Sequence, residues 1–213
     1  VQIFDEIGIN LIEDHSEERP LWSLASIDPK QFEGLPITFS MTPKLKEIQQ
    51  QMLGIKPVVS SKIPSVIQAS LRSYQQEGVN WLERLRIMHL NGILADDMGL
   101  GKTLQAIIAL TQHKEKNRDS IAIVVCPTSL VYNWKEEFNK FNPKFKVLPV
   151  DGTPTQRKKL LTDIKNFDIV ITSYSLLQKD IDFYKTIPFD YAILDEAQHI
   201  KNRGTRNAKS VKM

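Results

Sequence analysis

A doubly wound α/β fold on a mainly parallel sheet, preceded by a smaller helix-containing extension, is what this amino-acid sequence predicts. Three observations carry that expectation. From Leu71 onward, apolar clusters of strand length alternate with helically periodic segments across short connections. One cluster, IAIVVC (121–126), is so continuously apolar that both its faces need cover, as in a parallel sheet. A glycine-rich turn, 96–103, follows a further apolar cluster and opens a helical segment, where ligands of such sheets sit.

The elements follow in order. Residues 1–65 read as the extension and 66–213 as the main domain. Residues 1–70 hold six of the eleven prolines (Pro20, Pro29, Pro36, Pro43, Pro57, Pro64). One helix stands out among them, with Thr42 as N-cap, Pro43 at the first position, then KLKEIQQQML closed by Gly54. KPVVSSKIPS (56–65) reads as a linker. Arg72 to about Leu90 is helical, with Tyr74, Trp81, Leu82, Leu85 and Met88 on one face. GILA (92–95) is a short strand. Thr103 to about His113 is helical, with Leu104, Ile107, Ile108 and Thr111 on one side. A helix over 130–141, strand 146–150, helix 155–165, strand 168–172, helix 174–184 and strand 191–195 complete the alternation.

Composition bounds the class. The chain has 213 residues, 41% hydrophobic and 25% charged, enough for one main domain with an appendage. A single cysteine, Cys126, excludes an internal disulfide framework and suits a reducing compartment. No apolar run approaches the roughly 18 residues of a membrane span, and the N-terminus lacks the pattern of a secretory signal. The expected location is cytoplasmic: nucleoid-associated in a prokaryote, nuclear in a eukaryote. The net charge of +3 says little about partners. Its distribution says more: residues 1–20 are acidic, whereas Lys201, Arg203, Arg206, Lys209 and Lys212 end the chain with no acid among them. Such a tail either attracts phosphate or is a solvated end. His89, His113 and His199 show no metal-ligand spacing.

The turn 96–103 reads DDMGLGKT: Asp96, Asp97, Met98, Gly99, Leu100, Gly101, Lys102 and Thr103. Two glycines let backbone N–H groups turn toward phosphate oxygens, and the following helix adds the positive end of its dipole. Lys102 suits the β- and γ-phosphates, and the Thr103 hydroxyl suits Mg²⁺. Asp96 stands where the usual pattern has its first glycine. A second acidic site, Asp195-Glu196, ends the apolar strand YAILD. Asp195 can hold Mg²⁺ through its waters, and Glu196 can polarise an attacking water as general base.

Read together, LRSYQQEGVNWL (71–82), ILADDMGLGKTLQAI (93–107), VVCPTSLVYNWKEEF (124–138), DIVITSYSLL (168–177) and LDEAQHIKN (194–202) resemble the Swi/Snf family of helicase-like DNA translocases, within helicase superfamily two. The resemblance implies a RecA-like lobe that binds ATP and Mg²⁺ and acts on double-stranded DNA, with a second RecA-like lobe in the same polypeptide. In that family Asp at the position of Asp96 is usual. The resemblance assigns Gln75 to the adenine edge, Lys102, Asp195 and Glu196 to catalysis, and Gln198, where many relatives have histidine, to coupling between lobes. Thr128 and Ser129, and Ser173 and Tyr174, are implied contacts to the DNA backbone, although Ser129 and Ser173 also suit ordinary helix caps. Trp81 and Trp134 read as core rather than base-stacking platforms. A DEAD-box-like RNA helicase lobe is the competing reading. A nucleotide-dependent scaffold without hydrolysis is the third.

Overall fold

The structure, a computed structural model, describes residues 27–34, 36, 40–52 and 60–213, together with Ser23 and Ala25. It divides into two units, one comprising Val1–Ser61 and Asn80–Ile93 and the other Lys62–Val79 and Leu94–Met213.

The larger unit is the expected α/β fold. Strands β1 (Ala122–Cys126), β2 (Val147–Pro149), β3 (Ile169–Ser173) and β4 (Tyr191–Leu194) form one parallel sheet in the order β2-β3-β1-β4. β1 and β3 are buried along their whole length, and the unbroken apolarity of β1 follows from cover on both faces. Alternate residues serve opposite sides. Ala122, Val124, Cys126, Ile169 and Ile171 pack with one group of helices: α3 (Lys102–Lys116) through Ile107 and Ile108, and α4 (Val131–Phe141) through Trp134 and Phe138. Ile123, Val125, Leu148 and Val170 face the other way. That face is covered by α5 (Pro154–Thr162) through Leu161, α6 (Tyr174–Lys179) through Leu177, and α7 (Ile181–Tyr184) through Tyr184. A last helix, α8, spans Arg206–Val211. Cys126 is fully buried between β3 and β4, and burial followed by the nearby Asp195 charge pushes its thiol up to about 12.

The residues expected on one side of 103–113, Leu104, Ile107, Ile108 and Thr111, are all buried, but Gln105, Ala109, Leu110 and Gln112 are buried too, so the helix is covered well beyond one stripe. Three expectations need correction. Residues 92–95 form no strand. The chain leaves the preceding helix, α2 (Ser73–Ile87), through His89 in a left-handed conformation at φ 54°, with the Leu90 amide donating back to the Leu85 carbonyl at 2.8 Å. A Cβ on Gly92 would then lie 2.2 Å from Leu85 and 2.6 Å from Trp81, so the backbone runs against the helix it has just left, and Ile93 is 81% exposed. The helix expected over 174–184 is two helices. Asp180 departs from helical dihedrals (φ −110°, ψ 19°) while its carboxylate accepts two bonds from the Arg157 guanidinium, at 2.6 and 3.0 Å. The face expected on α2 is only partly buried; the fully buried residue is Val79, which joins the core of the larger unit.

In the smaller unit, α1 (Pro43–Met52) begins as the sequence suggests, with the Leu45 amide donating to the Thr42 hydroxyl at 3.3 Å. Its Ile48 clusters with Ala25 and Met88. Gly54 and the first four residues of the expected linker, 56–59, lie outside the described residues. The linker's far end is fastened: the Ser61 amide and hydroxyl both donate to Asn80 Oδ1 at 2.9 Å. In the larger unit, the Lys62 carbonyl accepts from Gln112 Nε2 at 3.0 Å.

Candidate active site

The sheet register aligns Cys126 with Ser173 and Val125 with Leu194. The chain therefore leaves β1, β3 and β4 at one end, through Pro127, Tyr174 and Asp195. All but three of the residues singled out from the sequence lie on the segments leaving these strands or on the turn that opens α3. The exceptions are Gln75 on α2, Ser173 as the last residue of β3, and Gln198 three residues past Asp195.

Residues 96–101 lead directly into α3. Gly99 and Gly101 take φ +82° and +80°, and a Cβ at Gly101 would lie 2.5 Å from Gln75 Nε2, so this position favours glycine. Gly101 is the N-cap and has no side chain to offer the first helical N–H groups. Those donors and the dipole of a 15-residue helix suit an anion. Lys102 Nζ lies over the turn, donating to the carbonyls of Asp96 at 2.7 Å and Asp97 at 2.9 Å. An ammonium has three donors, so one remains for a ligand. Residues 95–99 are exposed, Met98 at 91%. The Gln75 amide is engaged at both ends: Oε1 accepts from the Arg72 amide at 3.0 Å and Nε2 donates to the Leu100 carbonyl at 3.1 Å. In this conformation it ties α2 to the glycine turn.

The acidic turn is held differently. The Asp195 amide donates to the Val125 carbonyl at 2.8 Å, extending the β1–β4 ladder by one residue. Asp195 Oδ2 accepts from the Trp134 indole at 2.8 Å, and Oδ1 from the Glu196 amide at 3.0 Å. Each oxygen keeps a second lone pair for a metal-bound water, so the donor set fits Mg²⁺, a cation that keeps waters between itself and carboxylates. Tyr174 donates its hydroxyl to the Asp195 carbonyl at 2.8 Å, and its ring stacks on His199 at 5.2 Å between centroids. Burial, then the charge of Asp195, raises the Tyr174 phenol to about 12, so it stays a donor at neutral pH. Glu196 sits in a left-handed conformation (φ 50°, ψ 51°), uncommon for a residue with a Cβ, and its carboxylate accepts from Gln198 Nε2.

Of the hydroxyls expected at DNA, Thr128 and Ser129 are exposed on a short turn, Thr128–Leu130, ahead of α4. Ser173 and Tyr174 are turned inward, 1% and 4% exposed. Ser173 caps α6 by accepting from the Leu176 amide at 3.3 Å, the capping alternative the sequence allowed. The exposed hydroxyl of this turn belongs to Ser175, 3.1 Å from Ser173 Oγ. Trp134 is core, as expected, but its bond to Asp195 lies across 61 residues and has no local sequence signal.

Residues 74–213 match the model of the SNF2-related domain. The chain belongs to the SNF2-related family. Among its SNF2 relatives, human TATA-binding protein-associated factor 172 is 39% identical over 200 residues, covering 84% of this chain and 11% of that protein. Saccharomyces cerevisiae MOT1, of the same description, is 39% identical across 87% of this chain and 10% of its own length. Human chromatin-remodeling ATPase INO80 is 41% identical over 65% of this chain and 10% of its own length. The chain thus spans about a tenth of the length of these relatives. The fold is similar to the Sulfolobus solfataricus SWI2/SNF2 ATPase core solved with double-stranded DNA, at TM-score 0.65 and 36% identity over 71% of this chain and 32% of that one. Its sheet is of the RecA-like kind found in that SWI2/SNF2 ATPase core. Nucleotide use comes with the family. Among the described residues no helix is long and apolar enough to cross a membrane.

Proposed function

We propose that this chain is the first motor lobe of an ATP-driven double-stranded DNA translocase, completed by a second RecA-like lobe in the same polypeptide. Residues 66–213 form the lobe on this reading, and residues 1–65 its extension. The observation that carries the proposal is a helix N-terminus with no side-chain cap, under a lysine held over its own turn, in the unit whose β4 ends in a braced aspartate and a glutamate. Bound ATP with Mg²⁺ supplies the phosphoryl group and neutralises much of its charge. Lys102 exchanges its carbonyl partners for the β- and γ-phosphates. Residues 96–101 offer backbone donors, and Thr103 and Asp195 would hold Mg²⁺, which would offset the charge of the phosphates. Glu196 accepts the proton of the attacking water, and Gln198, bonded to Glu196, links that base to the partner lobe. Gln75 reads the adenine edge after giving up the Leu100 carbonyl.

Thr128 and Ser129 meet the DNA backbone, with Ser175 providing the exposed hydroxyl of the second segment beside Ser173 and Tyr174. Hydroxyl contacts of this kind grip phosphate without reading sequence. Relatives named for TATA-binding protein and for chromatin favour the nuclear option over a cytoplasmic one. The deciding experiment measures phosphate release by the polypeptide extended through its second lobe, alone, with duplex DNA and with RNA. Stimulation by duplex DNA is expected. Stimulation by RNA alone would favour the RNA helicase reading, and no hydrolysis under any condition the scaffold reading.

A further inference from the structure

Two side chains outside the phosphate-binding set converge on Asp195. Trp134 stands on α4, one helical turn past the exposed Thr128–Leu130 turn, and is 4% exposed with its indole N–H on Asp195 Oδ2. Tyr174 opens α6, next to the exposed Ser175, and holds the Asp195 main-chain carbonyl. Its ring stacks on His199, which follows the carboxylate by four residues. A tryptophan N–H donates only, and the phenol spends its proton on the Asp195 main-chain carbonyl, so neither partner takes the place of Mg²⁺ at the carboxylate. Each can only aim the aspartate. The indole fixes the carboxylate's rotamer by occupying one lone pair of Oδ2. The phenol fixes the backbone at the start of the left-handed turn that carries Glu196.

We infer that Trp134 and Tyr174 are positioning residues for Asp195. Through them, the two segments proposed to meet DNA, 128–129 and 173–175, are also the supports of the magnesium-side carboxylate. The inference rests on the proposed role of Asp195. Partners of this kind typically alter metal affinity by about 10–100-fold when removed. They leave contacts to the phosphates themselves unchanged.

The test is calorimetry of ATP binding to the 213-residue chain, in EDTA and across a magnesium titration, for the wild type, Trp134→Phe, Tyr174→Phe and Asp195→Asn. Trp134→Phe removes the donor and keeps a ring in the core; Tyr174→Phe removes one oxygen and guards against a folding artefact at Trp134. We expect both to raise the magnesium midpoint for tight ATP binding, Trp134→Phe by about tenfold or more. Affinity in EDTA should stay within about twofold of wild type. Equal losses with and without magnesium would make the two residues merely structural and overturn the inference. So would wild-type midpoints in both variants while Asp195→Asn loses its magnesium response. If Asp195→Asn itself keeps that response, the assignment of Asp195 fails, and this inference with it.

Discussion

The glycine turn and the acidic turn, which serve one site on the proposed function, are held in different ways. Residues 95–99 are exposed, and the Lys102 ammonium is bonded to carbonyls of its own turn. The acidic turn is fastened by β1 through the Val125 carbonyl, by α4 through Trp134, and by α6 through Tyr174. The first arrangement can exchange internal partners for a ligand's oxygens at little cost in fold. The second presents a carboxylate already aimed, which lowers the reorganisation needed when charge develops. Phosphate binding and hydrolysis should therefore respond differently to substitution.

The largest effect tests what neither turn supplies. On the proposed two-lobe mechanism the cation facing the transferred phosphoryl from the far side comes from the second lobe, so the 213-residue chain alone should hydrolyse ATP about 10³–10⁵-fold more slowly than a polypeptide carrying the second lobe. Steady-state phosphate release with duplex DNA measures this, and equal rates would refute the two-lobe mechanism. Next comes the acidic turn. In the two-lobe protein, Glu196→Gln should lower the DNA-stimulated rate by about 10²–10⁴-fold while ATP still binds. A retained rate would move the base elsewhere. Lys102→Ala should weaken ATP binding by about tenfold, the worth of hydrogen bonds to a charged group, with stability unchanged within about 0.5 kcal/mol. Calorimetry and thermal melting read the two quantities, and a large drop in stability would show that the fold depends on the bonds Lys102 makes to its own turn. The smallest effect is Ser173→Ala, which removes the cap of α6 and should cost about 1 kcal/mol in denaturant unfolding. An unchanged midpoint would mean that the inward-turned serine is not a cap.

What the sequence disclosed depended on how local the cause was. β1 was legible because two-sided burial leaves an unbroken apolar run, and α3 because Leu104, Ile107 and Ile108 recur at helical period, although its burial extends further. Lys102 and the acidic pair were legible because their chemistry is written in adjacent residues. GILA has the composition of a strand, yet its path follows from the left-handed His89 and the close approach of Gly92 to Trp81 and Leu85, which periodicity does not encode. The break at Asp180 depends on Arg157, 23 residues away. Trp134 was read as core, which its burial bears out, but the partner of its one polar atom is a matter of topology. Ser175 was passed over beside Ser173, since two serines in TSYS look alike until the helix that starts between them turns one inward.

The buried Cys126 makes the chain a ready host for site-directed labelling. With its thiol pushed up to about 12, Cys126 stays a thiol at pH 8, and the residue has no solvent-accessible surface. It is also the sole cysteine of the sequence. A cysteine placed at exposed Thr128 or Ser175 would then be the only one to take a dye or a phosphorothioate-directed cross-linker, with no background to subtract and no core residue to replace first. Attachment to a DNA backbone at one position and not the other would map the groove contact to a single turn.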